Sequence, residues 1–151
     1  MKYFEEISEG EEIVFDQEYR VTEEEIIEVG TRWDPQPFHI DPVAAKESFF
    51  GGLVASSAHL FSIYCCIGTA DYDQAKNVQA VTALGFSNLQ WHHPVRPGDV
   101  IRAKYFVTSL RESASKPDMG IIETLSTLFN QNDETVFTVE GSCLVIKKLA
   151  L

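Results

Sequence analysis

LVASSAHLFSIYCCIGTA, residues 53 to 70, decides the fold. Leu60, Ile63, Tyr64 and Ile67 recur at helical spacing, and the other faces carry Ala, Phe and Cys. A helix apolar nearly all round is a buried one, so a central helix is expected at about residues 56 to 69. Its mostly apolar part, AHLFSIYCCIGTA, is too short to span a bilayer. Something must wrap it, and the second half of the chain supplies strands. Residues 77 to 92 read as extended. After the turn PVRPGD, VIRAKYFVTSLRE alternates, with Ile101, Ala103, Tyr105 and Val107 on one face. IIETLSTLFNQ and ETVFTVEGSCLVIKK then flank NDE, a hairpin loop. One buried helix with five or so antiparallel strands gives an α+β fold. A length of 151 residues suits one domain over 1–151.

Upstream, EEIVFDQEYRV (11–21) reads as a strand. Thr22 with Glu25 three places on is a capping-box pattern, opening a helix whose Ile26, Ile27 and Val29 can face a core. Next comes WDPQPFHIDP, residues 33 to 42, with two aspartates, one histidine and three prolines. Proline removes backbone donors and fixes φ, so this segment is stiff and irregular. Asp41-Pro42 places an N-cap and a first-turn proline ahead of a short helix through PVAAKESF. Gly51-Gly52 ends it.

Composition excludes several classes. A net charge of −11 argues against non-specific nucleic-acid binding. The 44% hydrophobic content, with ten Phe, five Tyr and two Trp, belongs to a folded chain. Cys65, Cys66 and Cys143 form no C-x-x-C pair, so a reduced cytoplasmic chain without a cysteine metal site is expected. The opening MKYFEEISEG has no basic region leading an apolar run and is not read as a signal peptide.

WDPQPFHIDPVAAKESFFGG resembles the MaoC-like dehydratases, which include the R-specific enoyl-CoA hydratases. The matching signature is Asp34, four residues, His39, then Ile40 and Asp41-Pro42. HHPVRPGDVI, SKPDMGIIE and FNQNDETVF also look like segments of that family, so the likeness runs along nearly the whole chain. It implies a hotdog fold, an antiparallel sheet around one long helix, assembled as a homodimer or larger homo-oligomer. It implies an acyl-CoA substrate and catalytic roles for Asp34 and His39. The family's enolate donor is the backbone N–H of the glycine in a His-Gly pair. That pair falls on Ser56-Ser57, a departure that leaves the Ser57 N–H in place. Ser62 matches a family serine that orients the catalytic Asp.

The residue types suit hydration. Asp accepts, His titrates near neutrality, and a stiff turn holds both on one water. The prolines lower the entropy of that turn. No metal or redox cofactor is implied, because moving protons and stabilising an enolate need neither. Plainer readings stand beside these. Asp34 before Pro35 suits an Asx-turn, and a lone His39 suits a structural role; their matched spacing favours function. Asp41 reads as a cap, His59 as packing or interface, and Cys65 and Cys66 as core. His92 and His93 point to opposite faces of a strand, unlike a metal pair. Phe49, Phe50, Phe61 and Tyr64 read as core, with some able to line an acyl tunnel. Arg96, Arg102 and Lys104 read as solvated charge, with CoA phosphates as the other use. Two other functions fit the same fold: an acyl-CoA thioesterase, and a non-catalytic acyl-CoA-binding protein.

Overall fold

The expected helix lies at the centre of the molecule. The structure is a computed structural model and describes residues 1–70 and 77–148. In chain order the elements are β1 (Glu12–Val14), β2 (Tyr19–Arg20), α1 (Glu23–Trp33), α2 (Pro37–Ile40), α3 (Pro42–Lys46), α4 (Ser57–Ala70), β3 (Ala80–Trp91), β4 (Val100–Glu112), β5 (Met119–Phe129) and β6 (Thr135–Ile146). A single 3-10 turn covers Phe4–Glu6. The sheet order is β1-β4-β5-β6-β3, with β2 also on β4, and every pair is antiparallel. This is the α+β hotdog arrangement.

Its stability comes from α4 against the sheet. Leu60, Ile63, Tyr64 and Ile67 share one buried cluster with Ile101, Ala103, Leu128, Phe137 and Val139. The alternation read in VIRAKYFVTSLRE is present: Ile101, Ala103 and Val107 are buried, with exposed or half-buried residues between them. A smaller cluster of Ile7, Val107, Ile122 and Val145 closes the far end of the sheet. Gly68 lets helix and sheet meet closely, because a Cβ there would collide with the Tyr105 hydroxyl.

Four expectations need correction. Residues 11–21 do not form one strand. The polar run Asp16-Gln17-Glu18 interrupts it, and only the two short pieces β1 and β2 pair with β4. Helix α4 is not buried on all sides: Ala58, Ser62, Cys65 and Thr69 form an exposed stripe. Cys65 is therefore exposed and not core. Phe49 is 98% exposed, because the turn after α3 projects it from the surface.

Strand β3 is exposed along nearly its whole length and pairs only with β6. Its register shifts three times, and Asn88, at φ 51°, sits within the shift between Ser87 and Gln90. Asparagine is among the residues that tolerate this left-handed geometry.

Phe137 is fully buried and its ring meets Phe61, Tyr64 and Trp91. Phe137→Ala is expected to cost about 3–5 kcal/mol. Urea unfolding followed by circular dichroism should show this as a lower midpoint with an unchanged slope.

Candidate active site

The stiff turn brings Asp34 and His39 together. Asp34 is the C-cap of α1, its N–H donating to Gly30 O at 2.9 Å. Its own carbonyl accepts from Gln36 N–H at 2.8 Å, which turns the chain into α2. Pro37 opens α2, and His39 lies in its single turn. Asp41 then caps α3, its Oδ1 accepting from Val43 N–H at 2.8 Å and Ala44 N–H at 3.2 Å. The cap reading of Asp41 therefore holds, and its carboxylate is occupied.

The His39 ring is 2.7 Å from Val54 O through Nδ1 and 3.4 Å from Asp34 Oδ2 through Nε2. A carbonyl only accepts, so Nδ1 must carry the proton. In the neutral ring Nε2 is then an acceptor. It faces a carboxylate oxygen, also an acceptor. Two acceptors this close call for a donor, and a water molecule lying beside the pair has two protons to offer them. His39 is buried, while Asp34 is half exposed and open to a ligand.

Two supports of His39 had no role in the motif reading. Val54 is one; its N–H also donates to Phe38 O at 3.1 Å, so residues 53–54 and α2 clasp each other. Gly30 is the other. A Cβ there would lie 2.8 Å from His39 O and 2.9 Å from His39 Cβ, so α1 touches α2 only because position 30 has no side chain. The signal was available: a glycine inside TEEEIIEVGTRW costs about 1 kcal/mol relative to alanine and asks for a packing reason.

The other expected site residues behave differently from one another. Ser57 is the first residue of α4, exposed, and its N–H belongs to the donors that a helix start leaves free. It lies three residues beyond Val54, which holds His39. Ser56 is the buried cap, its Oγ accepting from His59 N–H at 3.2 Å. Among the described residues Ser62 makes no hydrogen bond to Asp34. Its hydroxyl donates to Ala58 O at 3.0 Å on the exposed stripe of α4.

His59 is buried where α4 faces α1, and neither ring nitrogen has a hydrogen-bond partner among the described residues. Its Nε2 is 3.6 Å from Glu25 Oε2, and the Tyr19 hydroxyl bonds the other oxygen of Glu25. Glu25 therefore fulfils half of the expected capping box. Its N–H donates to Thr22 Oγ1 at 3.2 Å, while its carboxylate turns toward Tyr19 and His59. Burial lowers the His59 pKa, against the pull of Glu25, so the ring is neutral at pH 7. Among the described residues no cluster of His, Cys, Asp and Glu able to hold a metal forms, and no helix is long and apolar enough to cross a membrane.

Comparison with known proteins agrees with this architecture. Residues 5–127 match the family model described as the MaoC like domain. A MaoC-like dehydratase from Rhodospirillum rubrum is 30% identical, with a TM-score of 0.87 over 99% of this chain and 100% of that one. The (R)-hydratase from A. caviae involved in PHA biosynthesis is 25% identical, with a TM-score of 0.67 over 94% of this chain and 98% of that one. Among curated sequences, YdeM of Bacillus subtilis (strain 168) is 25% identical over 126 residues, 83% of this chain and 86% of that one.

Gly30→Ala is expected to displace His39 and to cost about 1–3 kcal/mol. The chain should still fold by circular dichroism, while the imidazole NMR signals of His39 shift. Unmoved His39 signals would remove Gly30 from the account of the site.

Proposed function

The chain belongs to the MaoC-like domain family, a hydratase and dehydratase family, and on that premise we propose that it adds water reversibly to a trans-2-enoyl-CoA, giving an (R)-3-hydroxyacyl-CoA. The observation that carries this reading is the Asp34–His39 pair, with the His39 tautomer fixed by the Val54 carbonyl. A water donates one hydrogen to Nε2 and one to Oδ2, which aims its oxygen lone pair at the β carbon. As the C–O bond forms, the pair takes one proton from the water and delivers one proton to the α carbon. Atoms balance, and the pair returns to its starting state.

The negative charge that develops on the thioester oxygen needs a donor. The free N–H of Ser57, at the positive end of α4, supports that role. It is a backbone group, so serine in place of the family's glycine retains it. A separate cavity lies away from the Asp34–His39 turn, and neither that turn nor Ser57 lines it. This cavity, of about 380 Å³, lies between the C-terminal half of α4 and the sheet, lined in part by Tyr64, Cys65, Gly68, Phe86 and Tyr105. That is within the usual size of small-molecule sites. The chemistry calls for no metal or redox group.

Assembly as a homodimer is part of the same proposal. Strand β3 offers an unpaired edge carrying exposed Val81, Leu84, Phe86 and Trp91. Isolated edges of this kind are normally covered. The exposed stripe of α4 asks for cover as well. Sedimentation equilibrium should give twice the chain mass of 17.0 kDa.

Loss of enoyl-thioester absorbance with crotonyl-CoA and a longer trans-2-enoyl-CoA tests the reaction. Wild type should turn over, and Asp34→Asn and His39→Ala should each lower kcat by about a hundredfold or more. Turnover that survives both substitutions would remove the water-activating pair. Release of free CoA thiol in place of alkene loss would make the protein a thioesterase.

A further inference from the structure

We propose that His59 is a positioning residue for the site: as a neutral ring it keeps the first turn of α4, and with it the Ser57 N–H and the Val54 carbonyl, in working geometry. Protonation of the ring against Glu25 undoes that geometry. This rests on the hydration reading above and adds a residue that acts only through its neighbours.

The first observation is place. His59 is the third residue of α4 and is 2% exposed. Ser56, just ahead of the helix, is buried too, and its Oγ accepts from His59 N–H at 3.2 Å. Leu60 N–H donates to Ser56 O at 3.1 Å and closes the turn. Ser57 lies inside that turn. On its other side Ala55 N–H donates to Val95 O at 2.9 Å, and Val54 O holds His39 at 2.7 Å. Residues 54 to 59 therefore carry the anchor of the catalytic imidazole, the enolate donor and a buried titratable ring. A shift of the His59 backbone moves its cap and the N–H between them.

The second observation is what the ring faces. Nε2 lies 3.6 Å from Glu25 Oε2, beyond hydrogen-bond length. Glu25 is held from elsewhere: Tyr19 donates to its Oε1, and its N–H is bound to Thr22 Oγ1. The carboxylate is thus fixed in place, close to the ring and not joined to it. A neutral ring tolerates that separation. An imidazolium does not, because a buried cation and a carboxylate draw together to hydrogen-bond distance. The positive end of the α4 dipole repels it as well. Both forces act on the first turn of α4.

Among the described residues Glu25 is the one charge that acts on the ring. The other acids of α1, Glu23, Glu24 and Glu28, are exposed, as is Arg20 of β2. From β4, Arg102 and Lys104 pair with Asp133 and Glu12, and Tyr105 meets α4 at Gly68, more than two turns on. His39 of α2 is engaged by Val54 and Asp34, and Arg96 turns to Phe50 O. On α4 itself the next titratable groups are Tyr64, Cys65 and Cys66, beyond the following turn. Burial lowers the His59 pKa below its ordinary 6.5, and Glu25 opposes only part of this. The unfolded chain therefore takes up this proton first. The stability that the neutral ring contributes is complete above pH 6.5 and falls as the pH drops below it.

Proton–nitrogen NMR of the full chain across a pH titration tests this without requiring turnover. The His59 ring signals should titrate with a midpoint below 6.5, and the Ser57 and Val54 amide signals should follow the same midpoint. Glu25→Gln removes the attraction that raises the His59 pKa, so all of these midpoints should move together to lower pH. In His59→Gln, whose side chain is neutral throughout, the step should vanish from the amide signals. In the hydration assay at alkaline pH, His59→Leu should lower kcat about tenfold with KM nearly unchanged, and His59→Gln should lower it less. Amide signals that do not follow the His59 titration, or a midpoint that Glu25→Gln leaves in place, would overturn the proposal. So would a ring that stays neutral until acid unfolds the chain, or a His59→Leu enzyme as fast as wild type. If the midpoints move as expected but no enoyl-CoA is hydrated, the hydration reading fails and the control of the α4 start by His59 stands.

Discussion

Every functional statement about this protein depends on one apolar contact, that of α4 with the concave side of the sheet. Leu60, Ile63 and Ile67 enter the same buried cluster as Ile101, Leu128 and Phe137. Removing that much hydrocarbon from water is the main favourable term of the fold. It also fixes where α4 begins. Val54 lies just ahead of that point, with one carbonyl directed at His39. The chemistry of an exposed turn is thus set by a core several residues away.

The turn is held from three directions. Prolines restrict its backbone from within, the Val54 carbonyl holds the imidazole, and Gly30 lets α1 press against His39. Glu25 in the first turn of α1 faces His59 in the first turn of α4 across 3.6 Å. The water-activating role proposed for the pair would need support of this kind, since small displacements of a reacting group cost large factors in rate.

Much of this was legible in the residues. Helix α4 was read at about 56 to 69 and spans Ser57–Ala70. The Thr22 and Asp41 caps, the long strands and the Asp34–His39 pairing were readable for the same reason. Each depends on spacing along the chain, and spacing is written in the sequence. What could not be read depends on contacts between distant segments. Val54 holds His39 through its backbone, which leaves no mark on residue type. Phe49 has the composition of a core residue and the geometry of a surface one. Ser62 has the residue type wanted for a carboxylate partner, but Ala58 lies one turn back on the same helix and takes its hydroxyl. The apolar faces of α4 could not reveal that one of them lacks a sheet to rest on.

The strand order also imposes a schedule on how the protein is made. Strands β4, β5 and β6 follow one another and pair as hairpins, so their partners are close along the chain. Strand β3 must wait, because Ala80 finds Val145 only after β6 has been synthesised. Contacts between near neighbours close smaller loops and form sooner. During translation the Asp34–His39 segment emerges ahead of α4, with no complete sheet to receive either. The nascent chain must therefore carry α4 uncovered until its C-terminal strands leave the ribosome.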